Sequence, residues 1–429
     1  MTSTHAPYPP SWYAAGATAP PAQSPLEGTL DVDVAILGAG YVGLNAAIEL
    51  AQAGYSVAVL EAERVGWGAS GRNGGQVLPG FGCGESKLLG LVGREDARRM
   101  FAWSVEGMDL LQDRLQRFGI DCDWRPGHAT VAIKPRHIPE LEGWQRDLAD
   151  EFGYTVEWWD ADRLRSQLDS PRYRGGMYDP RAGHLHPLKY ALGLARAAQS
   201  LGVQIFEGSE VLGLTHGPTP VLRTARGEVR CRAAILAGNA LVKGIAPELD
   251  RKIMPVGTYI AATTPLGEER ARALLRNDMA VADTNWALDY FRLSADHRLL
   301  FGGRASYSNF QPPNLRWVMA RRMHKVFPQL RDVDFEYAWG GTIDISLNRA
   351  PHWGRIGHGN VYFAQGFSGH GVAATGLAGR VIAEAVRGDQ ERLDVFRKIQ
   401  HFDFPGGRTF RTPLLVAAMA WYKLRDAWW

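Results

Sequence analysis

The apolar positions near the start of the chain change period twice. Val32 to Leu37 is a β-branched run, Leu44 to Ala53 repeats at helical spacing, and Tyr55 to Leu60 is again a strand pattern. A helical stretch follows from Glu85 to Phe118, with apolar positions at Leu88, Leu91, Met100, Trp103, Met108, Leu111 and Leu115. From Ile120 to Tyr178 the pattern predicts short strands and loops rich in aromatics, and from Pro187 to Leu201 another helix, closed by Gly202. Val203 to Phe206 reads as a strand, and Val211 to Leu214, Val221 to Thr224 and Val229 to Cys231 as a short antiparallel meander. Ala233 to Leu236 is a strand running into Ala237-Gly238-Asn239-Ala240. Further strands are predicted at Thr258 to Ala262, Asp289 to Leu293, Leu299 to Gly302, Phe335 to Thr342 and Val361 to Ala364. Helices are predicted at Leu315 to Phe327 and Val372 to Val386.

The junction between the first strand and the first helix is Gly38-Ala39-Gly40-Tyr41-Val42-Gly43. This is a G-x-G-x-x-G turn in strand-turn-helix context, and Glu61 supplies the acid about 20 residues on. Gly38 allows the tight turn, Gly40 lets backbone approach a pyrophosphate, and Gly43 lets helix and strand pack closely. Glu61 can accept hydrogen bonds from ribose hydroxyls and would repel a 2′-phosphate. The ligand is therefore FAD or NAD rather than NADP. Gly66 to Gly75 adds five glycines in ten residues, so the backbone itself must approach something flat or charged. Ser70 and Arg72 can hydrogen-bond a phosphate or a ribityl chain, and Gly74-Gly75 leaves room for a ring system. A flavin needs such a bed, whereas a nicotinamide enzyme has no evident use for it. A third glycine turn, Gln365 to Gly371, opens the Val372 helix, whose N-terminus would favour an anionic reduced ring. His370 sits in that turn, either as a catalytic residue or as a cap on backbone groups. No second G-x-G-x-x-G stands between a strand and a helix, so electrons must leave for oxygen or another carrier.

At 429 residues, 45% of them apolar, the chain is long enough for two lobes with a sizeable core. The net charge of +3 argues for neither nucleic acid nor an anionic membrane. Three scattered cysteines, Cys83, Cys122 and Cys231, give neither a zinc site nor a disulfide framework and suit a cytoplasmic setting. No basic segment precedes an apolar one at the start, and no run approaches the roughly 20 apolar residues that span a bilayer. Residues 1–29 are expected to be an irregular arm on the surface. The aromatic tail, Pro413 to Trp429, is expected to form a helix packed on the domain.

The motifs resemble the superfamily of FAD-dependent amine and amino-acid oxidases, the D-amino-acid oxidase and sarcosine oxidase group, and within it the γ-glutamylputrescine oxidase-like branch. The resemblance rests on Ser11 to Ala15, VLEAERVGWGASGRNGGQ at 59–76, Tyr290 to Asp296, RLLFGG at 298–303, Trp339 to Thr342 and GFSGHG at 366–371. It implies an α/β fold in which a Rossmann-like FAD-binding lobe (30–84, 171–250 and 339–395) is interleaved with an antiparallel-sheet α+β substrate lobe (85–170 and 251–338), followed by the tail at 396–429. It also implies non-covalent FAD, because the sarcosine-type tethering cysteine has no counterpart beside Trp339.

The cofactor residues implied are Gly38, Ala39, Gly40, Tyr41, Val42, Gly43, Glu61 and Ala62 around the ADP half. Gly68, Ala69, Ser70, Arg72, Asn73, Gly74, Gly75 and Gln76 lie along the ribityl chain and ring. Val211, Ala237 and Gly238 also lie beside the cofactor, and Gly366, Phe367, Ser368, Gly369, Gly371 and Val372 lie under the pyrimidine, with His370 as the catalytic candidate. Trp67, Tyr259, Trp286, Tyr290 and Trp339 are candidate aromatic walls for an amine, or else plain core aromatics. Ala373 stands where sarcosine-type relatives place a lysine that grips a carboxylate, which favours a longer amine such as γ-glutamylputrescine or a related polyamine derivative. The implied reaction is oxidation of that amine to an aldehyde, with oxygen reduced to hydrogen peroxide. The alternatives are a dehydrogenase feeding a membrane carrier, docked through the tail, and a non-catalytic nucleotide-binding scaffold.

Overall fold

The computed structural model describes residues 7–242, 244–285, 288–306 and 313–405. Pro413 to Trp429 and Trp286 lie outside the described residues.

Two sheets share the chain. The first has eight strands among the described residues, in the order His352–Ile356, Val361–Gln365, Gly227–Leu236, Gly28–Leu37, Val57–Leu60 and Gln204–Phe206. Val221–Arg223 and then Gly213–Thr215 are added beside Gly227–Leu236. The four inner pairings along this path are parallel. Its central strands are apolar on both faces: Val34, Ala35 and Ile36 are fully buried, as are Ala234 and Ile235. That is the signature of a parallel sheet covered on both sides. One face carries the helices Tyr41–Gln52, Arg94–Arg117, Pro187–Ser200 and Val372–Val386. On the other, Ala35, Ala58 and Ala234 pack with Leu222 of the meander and Leu249.

The second sheet has nine strands among the described residues, in the order Phe335–Ser346, Ile253–Thr263, Leu299–Ser306, Tyr290–Leu293, Ala280–Asp283, Arg125–Val131, Gly176–His184 and Gln76–Val77, with Glu157–Trp159 beside Gly176–His184. The chain crosses between the sheets several times, so the interleaved α/β architecture is present. One detail differs from expectation. Ala280–Asp283 runs parallel to Arg125–Val131, so the substrate-side sheet is mixed rather than wholly antiparallel.

Three local expectations are corrected. The stretch 85–118 is two helices, Glu85–Val92 and Arg94–Arg117, because Gly93 sits at φ +83 between them. Residues 120–178 include two helices, His137–Phe152 and Ala161–Gln167, the second capped by Asp160, whose side chain accepts from Arg163 N. The arm is irregular and largely exposed over 18–25 but not throughout. Ser11 caps a short helix, Trp12–Gly16, whose Tyr13 is fully buried and whose Trp12 donates its indole N–H to Asp296 (3.1 Å). Two large aromatic rings bury more apolar surface than the surrounding Pro, Ala and Ser can oppose.

Candidate active site

The parallel strands Gly28–Leu37 and Val361–Gln365 each end in a glycine turn that opens a helix, on the same edge of the same sheet. In such sheets the crevice beyond the strand C-termini is where ligands sit.

At the first turn Gly38 has φ +102, and a side chain there would strike the Ala237 carbonyl. A Cβ on Gly43 would come within 2.0 Å of the Gly38 oxygen. Both glycines are required by the backbone. Gly40 faces the Ser70 hydroxyl, which accepts from Tyr41 N (3.0 Å) and so keeps its own O–H free to donate. Val42 and Gly43 lie in the first turn of their helix, where amides have no preceding carbonyl to pair with. Glu61 braces the turn by accepting from Ala39 N (2.8 Å) and Glu63 N (3.0 Å), and burial raises its pKa to about 7.

The second loop is held from within. Gly66 N donates to the Ala39 carbonyl (3.0 Å), and the Asn73 amide donates to the carbonyls of Ala69 and Ser70 while accepting from Gly75 N. Arg72 clamps the loop: its guanidinium lies 4.4 Å over the Trp67 ring and donates to the carbonyls of Trp67 and Gly340. Gly74 and Gly75 are close-packed on the side a Cβ would take. A Cβ on Gly74 would strike the Tyr290 ring, and one on Gly75, at φ +76, would strike the Leu185 carbonyl. Gln76 donates to the Val281 carbonyl, tying the loop to the second sheet.

At the third turn Asp344, 1% exposed, receives Gly366 N and Phe367 N on its carboxylate and Ser368 N on its carbonyl. Burial raises its pKa to about 6. His370 Nε2 lies 2.7 Å from the Pro79 carbonyl. A carbonyl only accepts, so Nε2 carries the proton and Nδ1 the lone pair. Burial lowers the His370 pKa, which keeps the ring neutral. The amides of Ala373 and Ala374 open the following helix from buried positions.

Of the aromatic walls, Tyr290 and Trp339 lie on the sheet face that looks toward the nucleotide lobe. Tyr290 sits between Gly74 and Gly302, either of which would collide with it as alanine. Trp339 donates to the Arg72 carbonyl (3.1 Å) and meets Tyr13 edge-on. Trp67 donates to the Pro7 carbonyl and stacks on Arg72, which makes it part of the loop clamp. Tyr259 packs on the opposite face, in the cluster of Met319 and Phe327, away from the other walls.

The family described as FAD dependent oxidoreductase matches residues 33–385. The chain belongs to this family. It is 41% identical over 418 residues to the gamma-glutamylputrescine oxidoreductase of Escherichia coli, covering 97% of this chain and 98% of that one. It is 43% identical over 408 residues to a Haemophilus influenzae protein named as a probable oxidoreductase, OrdL, covering 94% of each chain. The fold matches the crystal structure of glycine oxidase from Geobacillus kaustophilus with a TM-score of 0.71, at 21% identity over 83% of this chain and 95% of that one.

The residues present fit FAD. Close-packed glycines, unpaired first-turn amides and the free Ser70 O–H suit a pyrophosphate, and Glu61 retains acceptor capacity for ribose hydroxyls. The amides of Gly371 to Ala374 suit a negative charge on a reduced ring. We expect Glu61→Ala to weaken FAD binding by one to two decades, since a hydrogen bond to a charged acceptor contributes roughly 1.5–3 kcal/mol, while loaded enzyme keeps its rate of reduction. Equilibrium titration of apoprotein with FAD checks this, and unchanged affinity would remove Glu61 from the site.

Sequence reasoning passed over three residues that shape the site. Asp344 holds the third turn. Glu207, 2% exposed, accepts from Val65 N, Gln23 N and Arg64 Nε, anchoring loop and arm together. Arg292, 3% exposed, donates to the carbonyls of Gly74, Leu185 and Leu293 and to the Tyr13 hydroxyl. The available signal was a lone charge inside an apolar strand pattern, as in Thr342-Ile343-Asp344-Ile345 and Phe291-Arg292-Leu293.

Proposed function

We propose that this protein is an amine oxidase acting on a primary or secondary amine, γ-glutamylputrescine or a related polyamine derivative, and releasing an aldehyde and hydrogen peroxide. The observation that carries the reading is the 41% identity to a gamma-glutamylputrescine oxidoreductase across 97% of the chain. Bound FAD would supply the hydride acceptor and pass the electrons to oxygen. In this reading His370 Nδ1 accepts a hydrogen bond from the amine N–H and orients the reacting carbon, its ring fixed by the Pro79 carbonyl. Tyr290 and Trp339 wall off water. Ala373, 2% exposed, offers no charge to hold a carboxylate at the position where sarcosine-type relatives place lysine, which favours a substrate without a carboxylate beside the reacting carbon. None of the cysteines lies in the strand that carries Trp339, so FAD is held without a covalent bond.

The test is a panel of alkylamines, polyamines and γ-glutamyl amines, scored by anaerobic bleaching of the yellow protein and then by peroxide on admission of air. Bleaching by γ-glutamylputrescine with stoichiometric peroxide supports the proposal. Bleaching that air does not reverse would make the protein a dehydrogenase using another acceptor. Flavin that stays with acid-precipitated polypeptide would refute non-covalent binding.

The rate of anaerobic reduction should rise between neutral pH and about pH 10. Burial keeps His370 neutral over this range, so the substrate is the titrating group, and a free alkylamine holds its proton up to about the lysine value of 10.4. Stopped-flow reduction with saturating amine across that range checks it. A flat profile would mean that the site takes up the ammonium form and removes its proton itself.

A further inference from the structure

One buried imidazole in the second sheet leaves a ring nitrogen unpaired. His128 lies in Arg125–Val131 and is 2% exposed, and its Nε2 has no hydrogen-bond partner among the described residues. Buried polar nitrogens are nearly always paired, so an unpaired one needs an explanation. A β-bulge aims it. The register between Arg125–Val131 and Gly176–His184 shifts between Pro126 and His128, and Gly127 between them has φ +99. A side chain on Gly127 would come within 2.7 Å of the Tyr178 hydroxyl, so the bulge depends on glycine. Bulges of this kind re-aim side chains beside active sites.

The direction of the ring follows from its neighbours. Ala129 and Val131 pack with Phe291 and Met279 on the far face of the sheet, so the alternation turns His128 to the other face. Its cross-strand neighbour Asp179 accepts from the Tyr154 hydroxyl (2.7 Å), and Tyr154 belongs to the core shared with the nucleotide lobe. Tyr290 lies on that same face. His370 lies close enough for a charge on it to disfavour a charge on His128. Burial first, and His370 second, push the His128 pKa down to about 3, which leaves a neutral ring able to pair with an uncharged polar group.

We propose that His128 is a substrate-binding residue of the amine site, its free Nε2 hydrogen-bonding the second polar group, an amide, of a long N-acyl diamine whose reacting amine lies at His370. This rests on the amine-oxidase reading and deepens it. His128 separates amide-bearing substrates from plain alkylamines of the same length, and does so by rewarding the amide rather than by excluding the alkyl chain.

The test uses holoenzyme and two variants. His128→Phe keeps the ring volume and removes both nitrogens, and His128→Gln restores a polar group at similar reach. Two probes separate binding from chemistry. An N-acyl butylamine carries the amide but has no oxidisable amine, and its binding is measured by calorimetry. Butylamine carries the amine but no amide, and is followed by anaerobic flavin reduction. His128→Phe should weaken N-acyl butylamine about ten-fold, His128→Gln should recover to within about three-fold, and reduction by butylamine should stay within two-fold of wild type in both, with unchanged FAD affinity. Equal binding of the amide probe by wild type and His128→Phe overturns the proposal. So do equal losses in the two variants, a matching loss with butylamine, or release of FAD. Wild-type enzyme that binds the amide probe normally but is not reduced by any amine refutes the amine-oxidase reading alone. Failure of wild type to bind the amide probe overturns the role of His128.

Discussion

Arg292→Met is expected to lower the melting temperature by several degrees and to weaken FAD binding at the same time. The guanidinium is buried and permanently charged, and each of its bonds from Nε and NH2 is 3.1 Å or shorter: Gly74 O at 2.9 Å, Leu185 O at 2.9 Å and Tyr13 Oη at 3.1 Å. NH1 adds Leu293 O at 3.1 Å. Its hydrogen-bond partners include no carboxylate, so the desolvated charge is offset by carbonyl dipoles. Methionine replaces the stem but leaves those carbonyls without a donor, at about 1–3 kcal/mol for each group left unpaired. Partial relaxation and relief of the buried charge bring the expected total to roughly 3–5 kcal/mol. The loss is not confined to stability, because one of the freed carbonyls belongs to Gly74, in the loop proposed to lie along the flavin ring. Differential scanning calorimetry and FAD titration on the same preparation check both parts. A melting temperature within a degree of wild type would show that the clamp is dispensable. A large thermal shift with unchanged FAD affinity would show that it holds the arm and not the loop.

His370→Ala is expected to slow anaerobic flavin reduction about 100-fold while changing FAD affinity little. A positioned acid, base or hydrogen-bonding group contributes about 100- to 10,000-fold. The low end is expected because the amides opening the Val372–Val386 helix stabilise negative charge without the histidine. The turn itself should survive the change, since Asp344 holds Gly366, Phe367 and Ser368, and Arg349 bridges Gly82 and Ser368 through their carbonyls. The measurement is stopped-flow reduction with saturating amine. A rate within about two-fold of wild type, together with lost FAD, would make His370 a cap that joins its turn to Pro79 and nothing more.

Much of this architecture is legible from local pattern, and the parts that are not share a physical cause. Gly38, Gly43 and Glu61 could be read because turn, helix and acid lie within one supersecondary unit, where spacing in sequence is spacing in space. Asp344 holds a turn 22 residues further on, and Arg292 clamps a loop more than 200 residues before it, so neither contact leaves a trace in nearby sequence. The contacts of Arg72 with Trp67 and with the Gly340 carbonyl are likewise invisible in the sequence, the second because its partner lies 268 residues away. Tyr259 shows what composition alone misses: Ile260 pairs with Trp339, so alternation puts the Tyr259 ring on the other face, and that register is not visible until the strands are paired. The helix His137–Phe152 buries only His137, Leu141 and Leu148, too few positions to outline an apolar stripe.

The arm carries a consequence for how the protein is made. Trp12 is bonded to Asp296, and Tyr13 touches Trp339 and Arg292, so these two aromatics find their places only after partners about 280 to 330 residues further on have been synthesised. The strand Gly28–Leu37 waits likewise for Gly227–Leu236, which in turn waits for Val361–Gln365. Such long-range parallel pairing is slow to form. Translation therefore leaves Trp12 and Tyr13 without their partners until those have been made, and they are the segment a chaperone would have to shield in the meantime.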